Sequence, residues 1–182
     1  MIAQHGTGVE GADIVAWLAE AEHHRGTEFL DLLARRGYVV VAPDHFNMGR
    51  RLPPEKRYHT DAFYKRHPRW TAMGKIVFDA AASIDVLLTR KEVDPKRIGA
   101  IGHSLGGMGS IYLAAYDERV RATVSIHGSY PFRFNSQVVE LSRPMGEGKV
   151  VYFPQLRKTL AEGNLPPIDM HEIMALVAPR PL

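Results

Sequence analysis

Three short apolar runs constrain this chain more than any other feature of its sequence. Tyr38-Val39-Val40-Val41-Ala42-Pro43, Arg97-Ile98-Gly99-Ala100-Ile101-Gly102 and Ala122-Thr123-Val124-Ser125-Ile126-His127 lack the strict alternation of a half-exposed strand. Runs of this kind fit strands of a parallel sheet covered on both faces. Helical spacing separates them. Thr27 to Arg36 carries Phe29, Leu30, Leu32 and Leu33 on one stripe, with Thr27 as N-cap, Arg35 and Arg36 at the negative end, and Gly37 as the stop. Lys75 to Lys91 sets Ile76, Val77, Ala80, Ala81, Ile84, Leu87 and Leu88 on one side, and Leu105 to Tyr116 is a glycine- and alanine-rich helix. Ala12 to Glu22 is a weaker amphipathic helix. Residues 128–168 read as irregular apart from a short strand at Val150 to Phe153. Asp169 and Glu172 have capping-box spacing, and Val177 onward approaches another strand. Strands alternating with helices predict an α/β domain with a mostly parallel sheet.

A single domain over residues 1–182 is expected, since a chain of this size buries roughly 70% of its unfolded surface. Cysteine is absent, which excludes disulfide scaffolds, zinc–cysteine sites and cysteine nucleophiles. No apolar run approaches the roughly 18 residues of a membrane span. Met1 to Gly6 lacks the basic and apolar regions of a secretory leader, leaving the cytoplasm as the default compartment. The net charge of +3 is concentrated in a basic insertion at about residues 45–72, where Arg50, Arg51, Lys56, Arg57, Lys65, Arg66 and Arg69 interleave with Tyr58, Phe63, Tyr64 and Trp70. Such a patch can suggest nucleic acid. No recognition motif accompanies it, so it reads as a solvated loop with neither nucleic acid nor membrane as partner. His23-His24 lacks a third ligand, and neither a metal nor a cofactor is expected.

The chemistry rests on Gly102-His103-Ser104-Leu105-Gly106, a G-x-S-x-G match. Alone, it could be a glycine-rich turn that merely opens a helix. Its place between a strand and a helix makes it a nucleophile elbow, with Ser104 lifted above the carboxyl edge of the sheet. Attack by a serine hydroxyl creates an oxyanion that needs donors aimed at it beforehand. Leu105 N–H is one. The loop after Ile2-Ala3-Gln4 supplies the other: Thr7 N–H is the favoured donor, Gly6 lets the backbone approach, and His5 organises the loop. Asp44 follows a strand and contributes a pocket wall; His103 and His127 lie at the same edge.

At this point the chain resembles an α/β-hydrolase, in particular the branch containing acetyl xylan esterases, glucuronoyl esterases and dienelactone hydrolases. The resemblance is carried by His5-Gly6-Thr7-Gly8, by Arg36-Gly37-Tyr38 through Pro43-Asp44, and by Glu92-Val93-Asp94-Pro95-Lys96-Arg97-Ile98-Gly99 leading into Gly102-His103-Ser104-Leu105-Gly106-Gly107. Asp169-Met170-His171-Glu172 leading into Ala178-Pro179-Arg180-Pro181-Leu182 completes it. The resemblance implies a serine esterase acting on small-molecule or carbohydrate esters through an acyl-enzyme on Ser104. It also implies a carboxylate and a histidine after the nucleophile, in that order. In this branch they follow the strand that Ala178-Pro179-Arg180-Pro181-Leu182 begins, so the expectation is a partial α/β-hydrolase fold, cut at both ends.

Substitutes within the chain are few. His127 lines the pocket and is carried as a candidate base for want of another; His171 falls on the wrong side of the sheet. Glu140 and Glu147 are candidate acids, whereas Asp79 and Asp169 read as structural and Asp117 and Glu118 lie at the opposite edge. Two alternatives stay open: a degenerate hydrolase that only binds, and a serine peptidase of the prolyl-oligopeptidase type. A sheet left with unpaired edges would also favour self-association.

Overall fold

The computed structural model describes residues 1–6, 28–51, 59–134 and 151–182. Its centre is a parallel sheet in the order β1 (Ile2–Gln4), β2 (Ile98–His103), β3 (Val120–Ile126). The register pairs Gln4 with Gly102 and His103 with Ile126, so all three strands end along one line. Side chains alternate across the sheet. Ile2 and Ala100 point into the larger core, whereas Ala3 and Ile101 meet Leu30 of α1 (Glu28–Arg35) on the opposite face.

The larger core lies under α3 (Ala72–Leu88) and α4 (Leu105–Tyr116), which pack on each other and on the sheet. Ile84, Ile111 and Leu113 are wholly buried there, each contributing about 1.5–3 kcal/mol by leaving water. α3 begins three residues before the predicted Lys75, because the Thr71 hydroxyl accepts Gly74 N–H at 2.8 Å and caps the helix. α1 ends as predicted at Gly37: Tyr38 N–H reaches Leu33 O at 3.1 Å and Gly37 N–H reaches Ala34 O at 3.0 Å. α6 (Met170–Ala175) has the expected capping box between Asp169 and Glu172. The predicted helix at residues 12–22 and the Thr27 cap lie outside the described residues.

Several expectations need correction. Tyr38 to Pro43 is not a strand buried on both faces. It makes one parallel bridge, Val41 to Ile2, and its side chains Tyr38 and Val39 are 46% and 36% exposed. It lies beyond β1, at the rim of the described sheet, with no strand on its other side among the described residues. Val151 to Phe153 is not a strand either; it is held by side chains, with Tyr64 OH donating to Val151 O and Thr60 Oγ1 accepting Val151 N–H. Burial raises the Tyr64 hydroxyl to about 12, so it stays a donor. Within the supposed irregular regions lie α2 (Asp61–Arg66), α5 (Leu156–Ala161) and two single 3-10 turns, Gly49–Arg51 and Phe132–Phe134. In the basic insertion, Phe63 packs against Phe46, Tyr64 and Trp70, and Trp70 packs against Phe78. The approach to a further strand appears where Thr123 N–H of β3 donates to Pro181 O at 3.0 Å. Among the described residues no helix is long and apolar enough to cross a membrane.

Candidate active site

Ser104 stands at the turn between β2 and α4 with φ 54° and ψ −117°. A non-glycine residue with such a φ is strained and persists only where its surroundings enforce it. Ser104 N–H donates to Ile126 O at 2.8 Å, and Ser104 O accepts the first helical bond from Met108 at 3.0 Å. Two glycines make the tightness possible. A Cβ on Gly102 would lie 2.2 Å from Gly106 O, and one on Gly106 would lie 2.1 Å from Gln4 O. The Leu105 N–H, first in α4, has no intrahelical acceptor and adds to the positive end of the helix.

The loop after β1 runs beside this turn. A Cβ placed on Gly6 would sit 3.5 Å from both Ser104 Cβ and His103 O, so the Gly6 backbone is the neighbour of the serine. Thr7 lies outside the described residues. His5 is buried, and its Nε2 accepts His45 N–H at 3.1 Å. Its proton is therefore on Nδ1, which donates to Gly6 O at 2.8 Å. His45 Nε2–H in turn donates to His5 O at 2.9 Å, and the two ring centroids lie 4.1 Å apart with the planes tilted by 40°. Burial pulls the His5 pKa down against the opposing effects of the Gly6 carbonyl and Asp44, and pulls His45 down to about 3, assisted by His5 and Arg51. Both rings are neutral near pH 7. His5 is thus committed to the loop and has no ring nitrogen left for a serine proton.

His127, the candidate base, has φ 53° and an exposed side chain just past β3. Its ring packs edge-on to His103, centroids 5.8 Å apart. Among the described residues no hydrogen bond joins Ser104 Oγ to either histidine. Asn47, Ser104 and His127 are the non-glycine residues with positive φ among those described. Ser104 and His127 follow strand ends directly, and Asn47 follows the rim segment. Asp44 O accepts Arg51 Nη1–H at 3.1 Å, and the same guanidinium pairs with Asp79 at 2.6 Å, which also binds Lys75.

The remaining candidates sit elsewhere. Asp169 is buried and accepts Phe132 N–H at 2.6 Å, Met170 N–H at 2.7 Å and Arg133 Nε–H at 2.7 Å. Burial alone would raise its carboxyl, but these donors outweigh it and hold the pKa at about 2. Asp117 is held below its usual range by Arg119 at the far end of α4. His171 is exposed in the first turn of α6, which packs on α4. Glu140, Glu147 and His23-His24 lie outside the described residues. Among those described no three His, Asp or Glu side chains could share a metal ion. Sequence reasoning missed His45; its signal was its place one residue after Asp44, where the rim segment reaches the same edge as Ser104.

A parallel sheet covered by helices, with a strained serine between strand and helix at its carboxyl edge, defines an α/β-hydrolase fold. The profile of the Dienelactone hydrolase family matches residues 17–151, and the chain belongs to that family. Among curated proteins it is similar to "Putative hydrolase YtaP" of Bacillus subtilis (strain 168), 30% identical over 162 residues, covering 88% of this chain and 50% of that protein. It is also similar to "Carbohydrate esterase MZ0003" from an unknown prokaryotic organism, 27% identical over 131 residues, covering 69% of this chain and 30% of the relative. A glucuronoyl esterase from Solibacter usitatus superposes with TM-score 0.59 at 24% identity, covering 98% of this chain and 53% of that one. A family 15 glucuronoyl esterase from Caldicellulosiruptor kristjansonii gives 0.63 at 19%, covering 98% and 50%. These two likenesses are of fold. The chain spans half or less of the length of the curated relatives it matches.

Proposed function

We propose that the chain is the nucleophile-bearing part of a serine-dependent ester hydrolase. Ser104 Oγ attacks the acyl carbon, the carbonyl π pair moves onto oxygen, and a base takes the serine proton. Collapse expels the alcohol, which leaves with that proton, and water then releases the acid from the acyl-enzyme. The Leu105 and Thr7 amides hold the oxyanion. The observation that carries this reading is the strained Ser104 turn with the Gly6 backbone alongside it. Family membership and the carbohydrate esterase among its curated relatives favour an esterified or acylated carbohydrate as substrate. The basic stretch from Arg50 to Arg69 would suit an acidic sugar ester. The general base and its carboxylate we place outside the described residues, because no hydrogen bond joins Ser104 Oγ to a histidine among them.

That same gap supports a second reading, a hydrolase-derived module that binds an ester without turning it over. A fluorophosphonate probe followed by mass spectrometry separates the two. Labelling of Ser104 that disappears in Ser104→Ala is expected for the nucleophile; a folded chain that takes no label leaves only the binding module.

A further inference from the structure

Resting on the reading of Ser104 as nucleophile, we propose that His45 is a positioning residue whose side chain aims the oxyanion loop. A peptide unit is planar and trans, so a carbonyl and the N–H bonded to its carbon point in opposite directions. His45 Nε2–H holds the His5 carbonyl at 2.9 Å, and His5 Nδ1–H holds the Gly6 carbonyl at 2.8 Å. The two peptide planes that flank Gly6 are therefore both fixed by histidine N–H donors. Their carbonyls turn toward the histidine pair, and the Gly6 N–H, trans to the His5 carbonyl, turns away from it. Gly6 is the residue whose backbone borders Ser104 Cβ.

The pair is reciprocal. His45 N–H donates to His5 Nε2 at 3.1 Å, and this is what leaves the His5 proton on Nδ1, facing Gly6. His45 itself is anchored: it is 2% exposed, its carbonyl accepts Met48 N–H at 3.0 Å, and Arg51 ties the same turn to Asp79 of α3. The oxyanion loop is thus referred to α3 through His45. Without the His45 donor, the peptide between His5 and Gly6 is free to rotate. That turns the His5 carbonyl, an acceptor, toward the serine where negative charge develops, and it releases the loop that carries the oxyanion donor.

Fluorophosphonate labelling of Ser104 tests this, because the phosphoryl oxygen occupies the oxyanion site. His45→Leu is expected to lower the maximal labelling rate about tenfold or more, since loss of one oxyanion donor costs about a hundredfold or more. The half-saturating probe concentration should hold. His45→Gln, whose amide can place an N–H near the Nε2 position, should recover most of that rate. A folded His45→Leu that labels at the wild-type rate, or a glutamine variant as slow as the leucine one, overturns the inference while leaving the nucleophile reading intact. An unlabelled wild type overturns both. If His45→Leu does not fold, 15N-histidine NMR of the wild type decides. Neutral rings protonated at Nε2 of His45 and Nδ1 of His5 support the inference, and any other tautomer pair overturns it.

Discussion

Gly102 and Gly106 show how a single methyl group controls this site. The atoms a Cβ on Gly106 would strike belong to the backbone of Gln4 and His5, not to a side chain that could swing aside. Gly106→Ala is therefore expected to cost about 3 kcal/mol or more, at the upper end of overpacking effects; an unchanged urea midpoint would contradict the elbow geometry. His45 makes a second prediction at this scale. Its pKa is about 3 when folded and about 6.5 when unfolded. Above pH 6.5 neither state binds the proton and stability is full. Between about 6.5 and 3 the unfolded state binds it and the folded state does not, so stability falls as pH falls, by up to about 1.4 kcal/mol per pH unit. Urea midpoints at pH 7 and pH 5 measure this slope, and His45→Gln should reduce it without abolishing it, because the His5 shift has the same sign.

Among elements, α6 depends most on one side chain. Asp169 caps the helix, accepts Phe132 N–H and pairs with Arg133, all while buried. Asp169→Ala strands the buried Phe132 and Met170 N–H groups and is expected to cost about 3 kcal/mol. With a folded pKa of about 2, this carboxylate gives its full stabilisation above about pH 4, and loses about 2 kcal/mol as pH falls from 4 to 2. Thermal melts of the wild type and Asp169→Asn across that window check both statements. This element was legible because its cap is local: Asp169 and Glu172 are three residues apart. Tyr38 to Pro43 was misread because its run of valines describes a side-chain preference, while exposure depends on which strands lie beyond it. α2 and α5 were missed because each is six residues long, too short for helical periodicity to show.

For the molecule as a whole, coverage of the sheet is uneven. α1 covers Ala3 and Ile101, yet Val124, which pairs with Ile101 on that same face, is 49% exposed. Beyond β3, the described backbone partner is Pro181. We expect the 182-residue chain to associate through this edge, seen as a sedimentation coefficient that rises with concentration; a monomer at every concentration would contradict it. The sequence by itself determined the parallel α/β order, the serine at a strand–helix turn, and the helix caps, because these depend on residues within one or two turns of each other. Tertiary structure alone decided that residues 45 and 5 form one histidine pair and that Gly6 borders Ser104. It also set His127 edge-on against His103. Those contacts join segments 24 to 98 residues apart, brought together by sheet register, which no local pattern in a single sequence encodes.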